Sequence, residues 1–189
     1  MTFKELDKRT ILWNEIANGH RPRFARKATQ SALCFEEMVK EFIQNEFKII
    51  HKFYSGEEFG ENEAKELFLD DYADSRFVFI EYKNLGVPFT LICDLFNAIH
   101  KVAKTTFSNN NLIEAYRRVI ESNFSKFVKS DETHDVVWAQ NEADEMSALL
   151  GVTEKITIEL SRGYWVFRDQ NGKIRKPSTF KPVDLSDLI

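Results

Sequence analysis

Two acidic runs hold the side chains best suited to chemistry in this sequence. Glu37 and Glu41 stand four residues apart with Glu36 beside them; Asp71 and Asp74 stand three apart, with Asp70 adjacent and Glu66 about one turn earlier. Residues three or four apart share a face of a helix, so each pair directs two carboxylates the same way. Like charges so arranged destabilise an isolated helix, and a hard cation removes the repulsion. Carboxylates from two facing helices suit a Mg2+ ion that keeps some of its waters for a phosphate-bearing substrate. Acidic pairs at this spacing also line solvated helix faces, and spacing alone leaves both readings open.

The other reactive types are scattered. His20, His51, His100 and His134 occur singly, without the spacing of metal ligands, and His100 reads as a packing or surface residue. Cys34 and Cys93 are too few for a disulfide framework or a four-cysteine zinc site and read as structural thiols. Trp13, Trp138 and Trp165 are core candidates, with stacking on a nucleobase as the alternative use. The run His20-Arg21-Pro22-Arg23-Phe24-Ala25-Arg26-Lys27 is a small basic patch that reads as a solvated helix start, with phosphate contact as the alternative.

These residues need helices to position them, and the chain supplies helical periodicity. Seven glycines and four prolines in 189 residues leave few breaks. Amphipathic stretches are expected over 4–17, 24–54, 62–85, 90–106 and 112–128, the second marked by Leu33, Phe35, Met38, Val39, Phe42, Ile43 and Phe47. Asn84-Leu85-Gly86 reads as a helix end with Pro88 soon after, and 108–111 as a polar loop. After Lys129 the period changes. Val136-Val137-Trp138 reads as a short β-like run and 141–150 as a short helix closed by Gly151. The alternating runs 155–160 and 164–167 read as strands around Arg162-Gly163, 169–172 as a turn leading into Lys173-Ile174-Arg175, and 177–189 as irregular. The expected architecture is mainly α: a helical body over 1–129 and a small α+β appendage over 130–189.

Composition narrows the function classes. A hydrophobic content of 43% with 17 Phe argues against disorder. No apolar run reaches the ~18 residues of a membrane span, and the first residues lack a signal-peptide core, so a cytoplasmic chain without a membrane partner is expected. The net charge of −4 argues against general nucleic-acid binding. That average hides a division. Residues 36–74 hold 12 acidic and 4 basic side chains, and the remainder holds 18 and 22. An acidic pair of helices and a basic remainder point toward a small phosphorylated substrate.

Two later motifs carry a resemblance. The run Glu114-Ala115-Tyr116-Arg117-Arg118-Val119-Ile120-Glu121-Ser122-Asn123-Phe124-Ser125-Lys126-Phe127 resembles the V-x-x-S-N-M-S-K helix of the MazG-like, all-α nucleotide pyrophosphohydrolases, a superfamily that includes phosphoribosyl-ATP pyrophosphohydrolases and dimeric dUTPases. The run Tyr164-Trp165-Val166-Phe167-Arg168-Asp169-Gln170-Asn171-Gly172-Lys173-Ile174-Arg175-Lys176-Pro177 is similar to the end of its phage-type branch. That branch also closes on a Pro-x-Asp-Leu tail, here Pro182-Val183-Asp184-Leu185. The likeness extends over 32–186, and its strength lies in the order and co-occurrence of the motifs.

The resemblance implies an all-α NTP pyrophosphatase-like bundle that forms a dimer or tetramer and hydrolyses a (deoxy)nucleoside triphosphate with Mg2+, or Mn2+, to release pyrophosphate. The family binds its metal through Glu-x-x-Glu on one helix and Glu-x-x-Asp on the next. Asp71-Tyr72-Ala73-Asp74 matches the second, with Asp at its first position. Glu41 matches the second Glu of the first motif, Met38 stands where the first is expected, and Glu37, one turn before Glu41, is the substitute. Glu37, Glu41, Asp71 and Asp74 are therefore the implied metal ligands and catalytic residues. Asn123, Lys126, Lys173 and Lys176 are the implied contacts to phosphate or sugar. Met38 also motivates an alternative: a nucleotide-binding or regulatory module of the same fold without turnover. A third reading is an interaction module whose edge strand recruits a partner. The phage-type ending suggests a viral or mobile-element origin by analogy.

Overall fold

The structure is a computed structural model and describes residues 1–19, 36–40, 44, 51–52, 54–55, 60–86, 90–151 and 155–189. The protein is mainly helical with a small three-stranded antiparallel sheet. Two compact units share the chain: Met1–Ile11, Pro22–Ile120 and Val183–Ile189 form the first, and Leu12–Arg21 with Glu121–Pro182 form the second. The second unit takes in most of the expected appendage together with an early piece of the chain.

In the first unit, α1 (Phe3–Asn18) starts on a reciprocal cap. The Thr2 N–H donates to Glu5 Oε2 at 2.7 Å, and the Glu5 N–H is 3.4 Å from Thr2 Oγ1. Two orphan donors of the first turn are thereby satisfied. The helix α2 (Glu61–Leu85) carries Glu61 and Glu63 in its first turn, where the helix dipole favours them. It ends as expected on Gly86, which adopts φ +66° and donates its N–H to the Lys83 carbonyl. The helix α3 (Thr90–Thr106) buries Ile92, Phe96, Ile99 and Ala103, a single stripe of threes and fours that packs on α2. Ser108 opens α4 (Asn109–Phe124) by accepting the Asn111 N–H at 3.1 Å, so the expected polar loop is already helical from Asn109. Leu112, Ala115, Tyr116, Val119 and Ile120 form its buried face.

The second unit is built around the sheet. Its order is β1 (Val128–Lys129), β3 (Tyr164–Arg168), β2 (Thr157–Ser161), all antiparallel. The strands β2 and β3 join through Arg162 and Gly163, both at positive φ (+50° and +80°), the backbone that a two-residue hairpin needs to match strand twist. Alternation along β3 divides the packing. Trp165 and Phe167 lie with Val128, Ala139, Ala143, Met146 and Ile156 in one cluster. Val166 lies with Ile16, Ala17 and Phe127 in another. The central strand is thus covered on both faces.

One expectation is corrected here. Val136, Val137 and Trp138 are not a β-like run but the first turn of α5 (Val136–Leu150). Asp135 Oδ1 accepts the Trp138 N–H at 2.9 Å, which caps the helix. Ala139, Ala143 and Met146 then continue at helical spacing into the cluster under the sheet. Cap and buried stripe together outweigh the weak β preference of two valines and a tryptophan. Asp135→Ala is expected to lower stability by about 1 kcal/mol, seen as a lower urea midpoint at unchanged slope. A strand at 136–138 would be indifferent to that change.

Candidate functional site

The acidic pair lies on α2, which has two buried faces of different character. Leu69, Tyr72, Ala73 and Ile80 make an apolar one. Asp71, Ser75 and Tyr82, spaced by four and seven, make a second that is buried and polar, with Asp71 only 5% exposed. Asp74 stands one turn from Asp71 and is half-buried. Two hard oxygen donors therefore sit a turn apart at the margin of a polar face removed from water.

Residues 36–40 are helical, and there the faces fall differently from the expected substitution. Met38 is buried, 1% exposed, while Glu36 and Glu37 are exposed. The helix thus turns inward the thioether that occupies the expected glutamate position, and turns Glu37 outward. Glu41 lies outside the described residues, as do Cys34 and the basic run 20–27. Among the described residues, no three of His, Cys, Asp and Glu come together as a group able to hold a metal ion.

The implied phosphate contacts belong to the second unit. Asn123 and Lys126 are brought together: Lys126 Nζ donates to Asn123 Oδ1 at 2.6 Å, while the Asn123 carbonyl accepts Trp13 Nε1–H at 2.8 Å. Lys173 and Lys176 are exposed, and Lys176 Nζ stands 4.4 Å from the centre of the Phe180 ring. Two buried carboxylates fix the backbone that bears them. Asp169, 4% exposed, accepts the N–H groups of Asn171 and Lys173 at 2.9 Å each and pairs with Arg175 at 2.8 Å. Glu142, 6% exposed, accepts the Ser178 hydroxyl at 2.8 Å and its N–H.

Among the described residues of the first unit, a dense arrangement of polar groups forms around Arg76, which no local sequence signal marks. Arg76, one turn after Tyr72 on α2, donates through Nη2 to both carboxylate oxygens of Asp7 at 3.0 Å. Its guanidinium lies 4.0 Å from the centre of the Phe3 ring, 5.2 Å from Tyr116 and 6.0 Å from Phe96. Beside it, Tyr72 Oη and His100 Nδ1 are 3.0 Å apart, and Thr10 Oγ1 and Tyr116 Oη are 2.6 Å apart. His100 stacks on Tyr72 and Phe96 and meets Phe3 edge-on. Burial raises the Tyr72 and Tyr116 phenols above their ordinary range. Only the steps of four and three from Phe3 through Asp7 to Thr10, and of four from Tyr72 to Arg76, hint at this box, and nothing local says that the two stripes meet.

His100 titrates low within this box, because burial and then the nearby Arg76 and Lys104 charges disfavour its cation. Between its folded pKa and the ordinary value near 6.5, the unfolded chain binds a proton that the folded chain refuses. Stability is therefore expected to fall as pH drops below about 6.5. His100→Gln should flatten urea midpoints measured between about pH 7.5 and 5.5, a window above the carboxylate titrations.

No protein-family model, no curated protein and no solved structure matches the chain.

Proposed function

We propose that the protein is a Mg2+-dependent nucleotide pyrophosphohydrolase that releases pyrophosphate from a (deoxy)nucleoside triphosphate. One observation carries this reading: Asp71 and Asp74 stand one turn apart on α2, beside a polar face that folding removes from water. Buried carboxylates are matched by hydrogen-bond donors or positive charge, and a bound cation is one such match.

The donor set fits the ion. Mg2+ is usually held by one or two carboxylates together with waters and substrate phosphates rather than by a full protein cage. Asp71 and Asp74 meet that requirement, with Glu41 as a further carboxylate from the preceding acidic run. Met38 offers a soft thioether that does not suit the ion, and exposed Glu37 is the weaker ligand of the set. The bound ion would neutralise phosphate charge and lower the pKa of a coordinated water. The chain's own share is positioning: α2 holds both carboxylates on one face, and the packing of Tyr72 and Ala73 fixes that face in place.

Pyrophosphate release measured over a panel of nucleoside and deoxynucleoside triphosphates with Mg2+ tests the proposal. Asp71→Asn and Asp74→Asn should each reduce turnover by about 100-fold or more, equivalent to about 2.7 kcal/mol of barrier. No release from any triphosphate, or an Asp74→Asn protein as active as the wild type, overturns it.

Buried Met38 favours a second reading, a nucleotide-binding module without turnover. Calorimetry separates the two: heat of nucleotide binding with no pyrophosphate formed supports the module, and binding with turnover supports the enzyme.

A further inference from the structure

The polar face of α2 holds a hydroxyl whose hydrogen bond is missing. Ser75 is 1% exposed, and its Oγ has no hydrogen-bond partner among the described residues. A serine inside a helix commonly gives its proton to the carbonyl one turn back. Other helical hydroxyls of this chain do so: Ser147 Oγ donates to the Ala143 carbonyl at 2.7 Å, and Thr106 Oγ1 to the Val102 carbonyl at 3.1 Å. Ser75 Oγ makes no such bond to the Asp71 carbonyl. A hydroxyl buried without a partner destabilises the fold that holds it, and an exception of this kind calls for a group that completes it.

Its place on the helix says where that group lies. At about 100° per residue, Asp71 stands between the other two oxygen-bearing side chains, about 60° from Asp74 and about 40° from Ser75 around the axis of α2. Side chains on a helix lean toward its N-terminus, which carries the Ser75 hydroxyl back toward the turn that bears Asp71. Burial deepens along the same arc, from half-buried Asp74 through Asp71 at 5% to Ser75 at 1% exposed. The neutral hydroxyl is the innermost of the three.

The surrounding charge selects what completes it. Asp70, Asp71 and Asp74 stand in the five residues before Ser75, and no basic residue lies between Glu66 and Ser75. Arg76, which follows, donates to the Asp7 carboxylate. An anion is repelled from such a place and a cation is drawn to it. Mg2+ keeps several of its waters when it binds, and those waters need acceptors for their polarised protons. A serine oxygen accepts such a proton through its lone pairs and adds no charge to the repulsion among the acids.

We propose that Ser75 is a positioning residue for the ion of the Asp71–Asp74 site: its Oγ accepts a hydrogen bond from a water that the ion retains, and this fixes the hydrated ion against α2. The inference rests on the Mg2+ reading of that pair. It adds a residue that neither the acidic spacing nor the resemblance implies. Without the ion the hydroxyl stays unsatisfied, so ion binding relieves a defect that the fold otherwise carries.

Calorimetric titration with MgCl2 alone and urea unfolding, on full-length wild type, Ser75→Ala and Ser75→Cys, test the proposal. The wild type should bind Mg2+, and its urea midpoint should rise with the ion. Ser75→Ala should bind Mg2+ about tenfold more weakly or worse, the usual loss when a partner of a metal's bound groups is removed. Its urea midpoint without metal should equal or exceed that of the wild type, because an unsatisfied hydroxyl has gone. Ser75→Cys fills the same volume with a poor acceptor and should lose Mg2+ affinity as the alanine does. An alanine or cysteine variant that binds Mg2+ as the wild type does overturns the role of Ser75 and leaves the Mg2+ reading standing. A lower metal-free midpoint in Ser75→Ala also overturns it, since that marks a hydroxyl satisfied within the fold. A wild type that binds no Mg2+ overturns both.

Discussion

The first unit depends on how one guanidinium is accommodated. Arg76 is 12% exposed, and a cation so far removed from water needs a counter-charge and full use of its faces. Asp7 supplies the charge from α1, and Phe3, Phe96 and Tyr116 supply ring surface from α1, α3 and α4. Planarity lets the guanidinium bind a carboxylate along its edge while its faces meet rings, an arrangement a lysine could not reproduce. Four helices are thereby indexed to one side chain of α2. The Tyr72–His100 and Thr10–Tyr116 hydrogen bonds satisfy the polar tips of the same aromatic packing. The positions of Asp71 and Asp74 follow from this, because the rotation of α2 that seats Tyr72 and Arg76 also decides where the acidic pair points.

The second unit solves a similar problem with carboxylates. Asp169 and Glu142 are buried, and each is satisfied by several donors from the loop it organises rather than by a single ion pair. Acceptors of this kind order an irregular stretch that has no helix or strand of its own to do so. A segment rich in Lys and Arg is thereby held in one conformation despite its own repulsion. The charge division along the chain has a structural counterpart at these positions: the acidic residues described within 36–74 stand on helices, while Asp169 and Glu142 organise loop backbone.

Much of the helical layout was legible because its signals are local. Gly86 after Asn84-Leu85, the stripe of threes and fours in α3, and the two residues between alternating strands each imply a conformation without reference to distant chain. Val136-Val137-Trp138 carries a β preference of its own, and the capping aspartate just before it is the local signal that decides for a helix. The Thr2–Glu5 cap is equally local, a Thr-x-x-Glu spacing at the start of α1. The Arg76 box was not legible at all. A cation on a helix looks solvated until the rings of three other helices are brought around it, and that is tertiary information. At the candidate site, the spacing of Asp71 and Asp74 predicts a shared face, yet spacing could not say that the neighbouring face, with Ser75 and Tyr82, is polar and buried. Glu37 and Met38 show the limit most sharply. Adjacent residues differ by about 100° around a helix, so which of them faces inward is settled by packing.

The double covering of β3 constrains the order in which the second unit can assemble. Val166 packs with Ile16 and Ala17, and Arg168 donates to the Ala17 carbonyl, contacts that join points about 150 residues apart in the chain. During synthesis, Leu12 to Asn18 must therefore wait, with one flank unprotected, until about 150 further residues have been made. Contacts of such high sequence separation carry a large loop-closure cost and form late. This segment is thus made early and sealed late, and until β3 exists the flank formed by Ile16 and Ala17 stays open.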